Sequence, residues 1–208
     1  MDIKVITKNN LNELKKLNEY NTCVVYGKGP TFKNDIIKQP KELRCAINQS
    51  CNYLEDVDFL CCNDAQAIYD IDKNKLKKIK FLLIPEYLHI NNKFNVNGYW
   101  KKSIYNHIKD YFNGYYIIYN LITNPVPNSN IITLDSSLTS TNSLIEFISK
   151  FTNIKEITTY GFGVIHPKQY NNLFKINKNT FYDSERIKKL KQHAIKTCKD
   201  GKINLKII

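Results

Sequence analysis

The sequence predicts an α/β protein with a Rossmann-like, mostly parallel sheet, helices on both faces and a reduced lid. Three observations predict it. Compact apolar runs alternate with segments of helical period. The runs end at Gly, Asn or Asp, residues by which chains commonly leave a strand. The length, 208 residues, suits one domain (1–208), with residues 164–182 as a small lid segment.

Taken in order, residues 22–26 (TCVVY) form a buried strand ending at Gly27, and Pro30 opens a helix over 31–38. Residues 43–47 (LRCAI) and 57–62 (VDFLCC) are the second and third strands, the latter ending at Asn63-Asp64. A helix falls within 65–78, and a fourth strand covers 80–84 before Pro85. Residues 98–112 are the clearest amphipathic helix. Trp100, Ile104, Ile108 and Tyr111 recur at helical spacing, with Lys101, Lys102 and Lys109 on other faces. Strands follow at 115–121 and 131–134. The segment 141–151 carries Leu144, Phe147, Ile148 and Phe151 on one helical face, and 154–160 is a strand ending at Gly161. A helix over 183–198, capped by Asp183 or Ser184, and a strand over 203–208 close the pattern.

Composition excludes several classes. With 42% hydrophobic and 24% charged residues, the chain is not wholly disordered. No stretch approaches the roughly 18 apolar residues of a membrane helix. The start, Met1-Asp2-Ile3-Lys4, lacks the apolar core of a signal peptide, so a cytoplasmic location is expected. A net charge of +12 invites a nucleic-acid partner. Against that, only Arg44 and Arg186 are arginines, whereas base and phosphate readers favour the guanidinium fork. The wealth of Lys, Asn and Ile also follows from an AT-rich coding style. The six cysteines form no C-x-x-C, which leaves reduced, buried thiols as the expectation.

In a parallel sheet ligands bind beyond the carboxyl ends of the strands. That directs attention to Gly27-Lys28-Gly29-Pro30-Thr31, Asn48, Asn63-Asp64 and Gly161. Two glycines allow close backbone approach, Thr31 offers a hydroxyl and Lys28 a charge. A helix opening at Pro30 would add unpaired N–H groups for an anion, although a plain strand-to-helix turn has the same sequence. Asn48 and Asn63 suit a base edge or a ribose hydroxyl, or cap turns. Asp64 suits a ribose hydroxyl or a helix cap. Ser140, Thr141 and Asn142, in Leu138-Thr139-Ser140-Thr141-Asn142, either cap a helix or bring a second helix N-terminus to the same ligand.

This ordered set resembles the bacterial sialyltransferases that act on lipooligosaccharide. It is also similar to their relatives, the motility-accessory-factor glycosyltransferases and the archaeal hydroxymethylpterin diphosphokinases. The carrying motifs are G-K-G-P-T, two strands ending in Asn48 and Asn63, T-S at Thr139-Ser140, K-E-I at 155–157 and the strand ending at Gly161. The resemblance implies a nucleotide-binding domain for a CMP-sugar donor, with a glycan or other acceptor and metal-independent, inverting transfer. It thus implies no metal and no cofactor beyond the donor as substrate. The implied nucleotide contacts are Gly27, Lys28, Gly29, Pro30, Thr31, Asn48, Asn63, Asp64, Ser140, Thr141 and Gly161. Such proteins often form homo-oligomers. His166 is the candidate general base and Tyr182 a candidate phosphate contact. Lys28 stands where these enzymes carry Asn, Thr141 replaces a Gly and Gly163 an Asp. No His precedes the last helix, where the family's base belongs. A binder without transfer activity, or one with phosphoryl-transfer chemistry, therefore stands as the alternative, and a nucleic-acid binder as the third.

Overall fold

A computed structural model describes residues 4–63, 65–86, 104–121, 130–135, 139–162, 174 and 184–208. Its strands are β1 (Val5–Ile6), β2 (Thr22–Tyr26), β3 (Glu42–Ile47), β4 (Phe59–Cys61), β5 (Phe81–Pro85), β6 (Tyr115–Leu121), β7 (Ile132–Leu134), β8 (Glu156–Tyr160) and β9 (Asn204–Ile207). They form one sheet in the order β1-β6-β5-β4-β3-β2-β8-β9. β1 and β7 share the outer edge of β6, against Tyr116–Ile117 and Tyr119–Leu121 respectively. Every pairing is parallel, so all carboxyl ends line one edge. The fold class is the α/β, Rossmann-like one expected.

Both sheet faces are covered, which is why the strands read as continuous apolar runs. On one face lie a 3-10 helix (Lys8–Glu19), α4 (Ser140–Phe151) and α5 (Ser184–Asp200). Leu14 and Leu17, Leu144, Phe147 and Ile148, and Leu190, Ala194 and Cys198 meet Cys23, Cys45, Phe59 and Ile157 there. The opposite face holds a second 3-10 helix (Asn48–Tyr53), α1 (Ala65–Tyr69), α2 (Lys73–Leu76) and α3 (Asn106–Ile108). Cys51, Ile68, Leu76 and Ile108 pack there on Ala46, Leu60 and Leu82. Each fully buried Leu, Ile or Phe contributes roughly 1.5–3 kcal/mol through water release. All six cysteines are buried and free. Burial pushes the Cys51 and Cys198 thiols up to about 12.

Two helical expectations change, and a third is described only in part. No helix follows Pro30: residues 32–40 run without regular structure. Phe32 packs edge-on against Tyr26 and Phe174, and Arg44 Nη2 donates to the Ile36 carbonyl at 2.9 Å. These anchors fix the segment to the sheet in place of helical hydrogen bonds. Residues 65–78 hold two short helices rather than one; Asp72 caps the second by accepting from Asn74 N–H at 2.7 Å. Of the helix expected over 98–112, residues 98–103, Trp100 among them, lie outside the described residues. Ile104 and Ile108 are buried as their spacing implied.

The cap of α4 is Thr139, whose hydroxyl accepts from Asn142 N–H at 3.2 Å, and not Ser140, Thr141 or Asn142. Ser184 is the first residue of α5 rather than its cap, and Asp183 lies outside the described residues. β4 is shorter than expected, Phe59–Cys61 against 57–62, although Asp58 N–H still donates to the Arg44 carbonyl at 3.0 Å and its carboxylate pairs with Lys38 and Lys80. β1 and the first 3-10 helix answer to no sequence expectation. Thr7 and Asn10 form a reciprocal cap at that helix start.

Candidate functional site

β2 lies between β3 and β8, so the chain leaves it in one direction and returns on its other side. That is the topological switch point of this sheet. The strand ends picked out from sequence follow β8, β2, β3 and β4, four adjacent strands. Gly161, Gly27, Asn48 and Asn63 therefore stand side by side along roughly 15 Å of the carboxyl edge.

At the switch point the two glycine turns are pressed together. A Cβ on Gly27 would lie 2.3 Å from the Gly161 carbonyl oxygen, and one on Gly161 2.8 Å from Gly29 N. Gly161 sits at φ +69°, in the left-handed region. Gly27 N–H donates to the Tyr160 carbonyl at 2.8 Å, and Gly29 N–H to the Gly161 carbonyl at 2.9 Å. Thr31 completes the clasp: its hydroxyl accepts from Gly161 N–H and donates to the Ile208 carbonyl, both at 2.8 Å. The Thr31 hydroxyl and Gly29 N–H therefore hold the protein to itself. With no helix after Pro30, the anion site expected at that helix N-terminus is not formed.

Asn48 differs from these. It adopts φ +54°, in the left-handed region, which Asn enters at less cost than most non-glycine residues. The turn is held by Ser50, whose hydroxyl accepts from Ile47 N–H at 3.0 Å and donates to the Tyr26 carbonyl at 2.7 Å. The Asn48 side-chain oxygen is buried, with no hydrogen-bond partner among the described residues. Next to it, Lys28 Nζ donates to Gln49 Oε1 at 3.1 Å, placing a cation over the same turn. Two further buried oxygens lack partners among the described residues: Tyr26 Oη at the end of β2 and Thr159 Oγ1 near the end of β8. The Tyr26 ring stacks on Tyr160 with centroids 5.6 Å apart. Burial pushes the Tyr26 hydroxyl up to about 12 against the pull of the nearby Arg44 charge, so it stays protonated and able to donate.

The fourth position forms its own cluster. Asn63 N–H donates to Ser140 Oγ at 3.1 Å, and Asn63 Nδ2 to Ser143 Oγ at 3.2 Å. Cys61 Sγ donates to the Ser140 carbonyl at 3.2 Å, and Tyr119 Oη lies 3.3 Å from Ser143 Oγ. Asn63 and Ser140 are brought together, but their polar groups face each other and both are buried. Thr141 is buried beside them. Asp64, His166, Tyr182 and the lid segment 164–182, apart from Phe174, lie outside the described residues.

Sequence reasoning missed Gln49, Ser50, Ser143, Tyr26 and Thr159. Each neighbours a residue it did single out, or shares an element with one. What was lacking was the register that turns a neighbour into a contact. Compared with protein-family models, with curated proteins and with solved structures, the chain has no match.

Proposed function

We propose that the carboxyl edge between β8 and β4 binds a nucleotide, the CMP part of a sugar donor being the form the sequence resemblance favours. One observation carries the reading: Asn48 turns into the left-handed region at a strand end, and its buried amide oxygen has no hydrogen-bond partner among the described residues. A buried acceptor without a donor among the described residues calls for a partner from outside them. A cytosine amino group or a ribose hydroxyl has the required N–H or O–H. Lys28 would take the phosphate.

Glycosyl transfer is the full form of the proposal. The departing phosphate would need stabilising as the sugar becomes cationic, and a base near neutral pKa would take the acceptor proton. His166 and Tyr182 are the residues assigned to those tasks on resemblance alone. A second reading, a nucleotide binder without transfer, is favoured by a specific observation: no His directly precedes the last helix, where the resembled enzymes carry their base.

The test is a thermal-shift panel of CMP, CDP, UDP, GDP, AMP and ADP-ribose, with and without magnesium, on the native chain and on Asn48→Gly. Glycine removes the amide but keeps the left-handed turn, so folding survives. A ligand that binds only the folded state raises the melting temperature by mass action. The reading expects one nucleotide to do so and the shift to vanish in Asn48→Gly. No shift at millimolar nucleotide would overturn it. Hydrolysis of a CMP-sugar, lost in His166→Ala, then separates the enzyme from the binder.

A further inference from the structure

At the opposite end of the sheet, before β5 and β6, lies a groove of about 600 Å³. Lys15, Lys16, Lys77, Lys78 and Lys80 line it, against a single acidic residue, Glu19. Two of the five ammonium groups are compensated. Lys16 pairs with Glu13 at 2.7 Å and bonds the Tyr115 hydroxyl. Lys80 pairs with Asp58 at 3.1 Å and donates to the Tyr20 hydroxyl at 2.9 Å. Lys15, Lys77 and Lys78 make no side-chain hydrogen bond or salt bridge among the described residues, and all three are exposed. Crowding like charges into a concavity opposes folding, and concave walls concentrate the resulting field on whatever enters.

We propose that this groove is a second binding site, distinct from the carboxyl edge, for a compact ligand carrying several clustered phosphate groups. Three features select that chemistry. The groove, at about 600 Å³, has the volume of a small-molecule pocket. Its cations are all lysines, compact point charges suited to clustered phosphate oxygens and lacking the guanidinium fork that reads base edges. Its aromatic wall, Tyr115, is already overlaid by the chain's own ammoniums, Lys16 at 4.3 Å and Lys4 at 5.7 Å from the ring centre. A nucleobase would have to displace them to stack, whereas phosphates would not.

The experiment titrates inorganic tripolyphosphate, inositol hexakisphosphate and a single-stranded oligothymidylate into the full chain by calorimetry, over a range of salt. Three variants accompany it. One changes Lys15, Lys77 and Lys78 to Gln, sparing the paired Lys16 and Lys80. A second changes the exposed Lys188, Lys196 and Lys199 of α5 to Gln, removing the same charge elsewhere. The third is Asn48→Gly. The expected result is one saturable site for at least one of the two small polyphosphates, with affinity falling as salt rises. The groove variant should weaken it about tenfold or more, the α5 variant about twofold at most. The choice between the two small ligands tells a linear phosphate chain from a phosphorylated ring. Asn48→Gly should leave this binding intact, so failure of the carboxyl-edge reading does not bear on it. Equal weakening by both lysine variants would show diffuse charge and overturn the proposal. So would tighter binding of the oligonucleotide, growing with its length, or the absence of saturable binding.

Discussion

The two ends of this sheet treat their polar groups in opposite ways. At the amino edge the buried charges answer one another. Asp58, 4% exposed, accepts from Lys38, from Lys80 at 3.1 Å and from Arg44 N–H at 3.1 Å. Arg44 in turn pairs with the buried Glu42 at 3.2 Å and donates to the Ile36 and Glu55 carbonyls. Toward the carboxyl edge Asn48 and Thr159 leave buried oxygens unmatched among the described residues. A closed network holds the fold, whereas an unmatched acceptor beside a strained turn is a cost that a ligand can offset. The lesson is that the sheet closes its buried charges into a network near the amino edge and leaves buried acceptors open toward the carboxyl edge.

Alkaline pH strains both ends at once and carries the largest expected effect. Burial raises Cys51, Cys198, Tyr20 and Tyr26 to about 12 from ordinary values of 9.0 for the thiols and 10.0 for the phenols. Above its ordinary value each group has lost its proton in the unfolded chain but keeps it in the folded one. The folded state then binds more protons, so stability falls as pH rises. The loss approaches 1.4 kcal/mol per group per pH unit, roughly, across the window from pH 9 to 12. Urea midpoints measured from pH 8 to pH 11 should be level at first and then drop steadily. A midpoint unchanged at pH 11 would refute this.

Single substitutions sharpen the contrast. Asp58→Ala strands Lys38, Lys80 and the Arg44 N–H, and should cost about 3–5 kcal/mol by urea denaturation. Gly27→Ala drives a Cβ into the Gly161 carbonyl, backbone against backbone, and should cost about 3 kcal/mol by the same measurement. Thr31→Val leaves Gly161 N–H and the Ile208 carbonyl without their shared hydroxyl, and should cost about 1–2 kcal/mol. Asn48→Gly is the counter-case. It relieves the left-handed strain and removes no partnered side-chain oxygen, so stability should stay within about 1 kcal/mol of the native chain. A large loss there would show that the amide is structural, and the contrast between the two edges would collapse.

How much was legible follows the same divide. The buried strands could be read because residues such as Val25, Leu43, Leu60 and Leu82 are apolar for one reason, coverage on both faces. Four of their ends proved adjacent because parallel topology aligns carboxyl ends by itself. The segment after Pro30 could not be read, because Arg44, in the next strand, and Phe174, far along the chain, hold it. Thr31 looked like a ligand contact because its hydroxyl is chemically suited to one. Only the positions of Gly161 and Ile208 reveal that it is engaged elsewhere. The amino-edge groove was invisible because its lysines come from the first 3-10 helix and from the approach to β5, and only the sheet brings them together.

The placing of β2 also sets an order on the chain's manufacture. Thr22 pairs with Glu42 on one side but with Glu156 on the other. As the ribosome extends the polypeptide, β2 through β6 can be laid down in succession, each strand beside the last. One long edge of β2, carrying Cys23, Val24 and Val25, must then remain unpaired until β8 emerges. An open apolar edge of that kind is a template for joining another copy. The interval between synthesis of β6 and synthesis of β8 is therefore when this protein is most exposed to aggregation, and a pause placed there would be the costliest in its production.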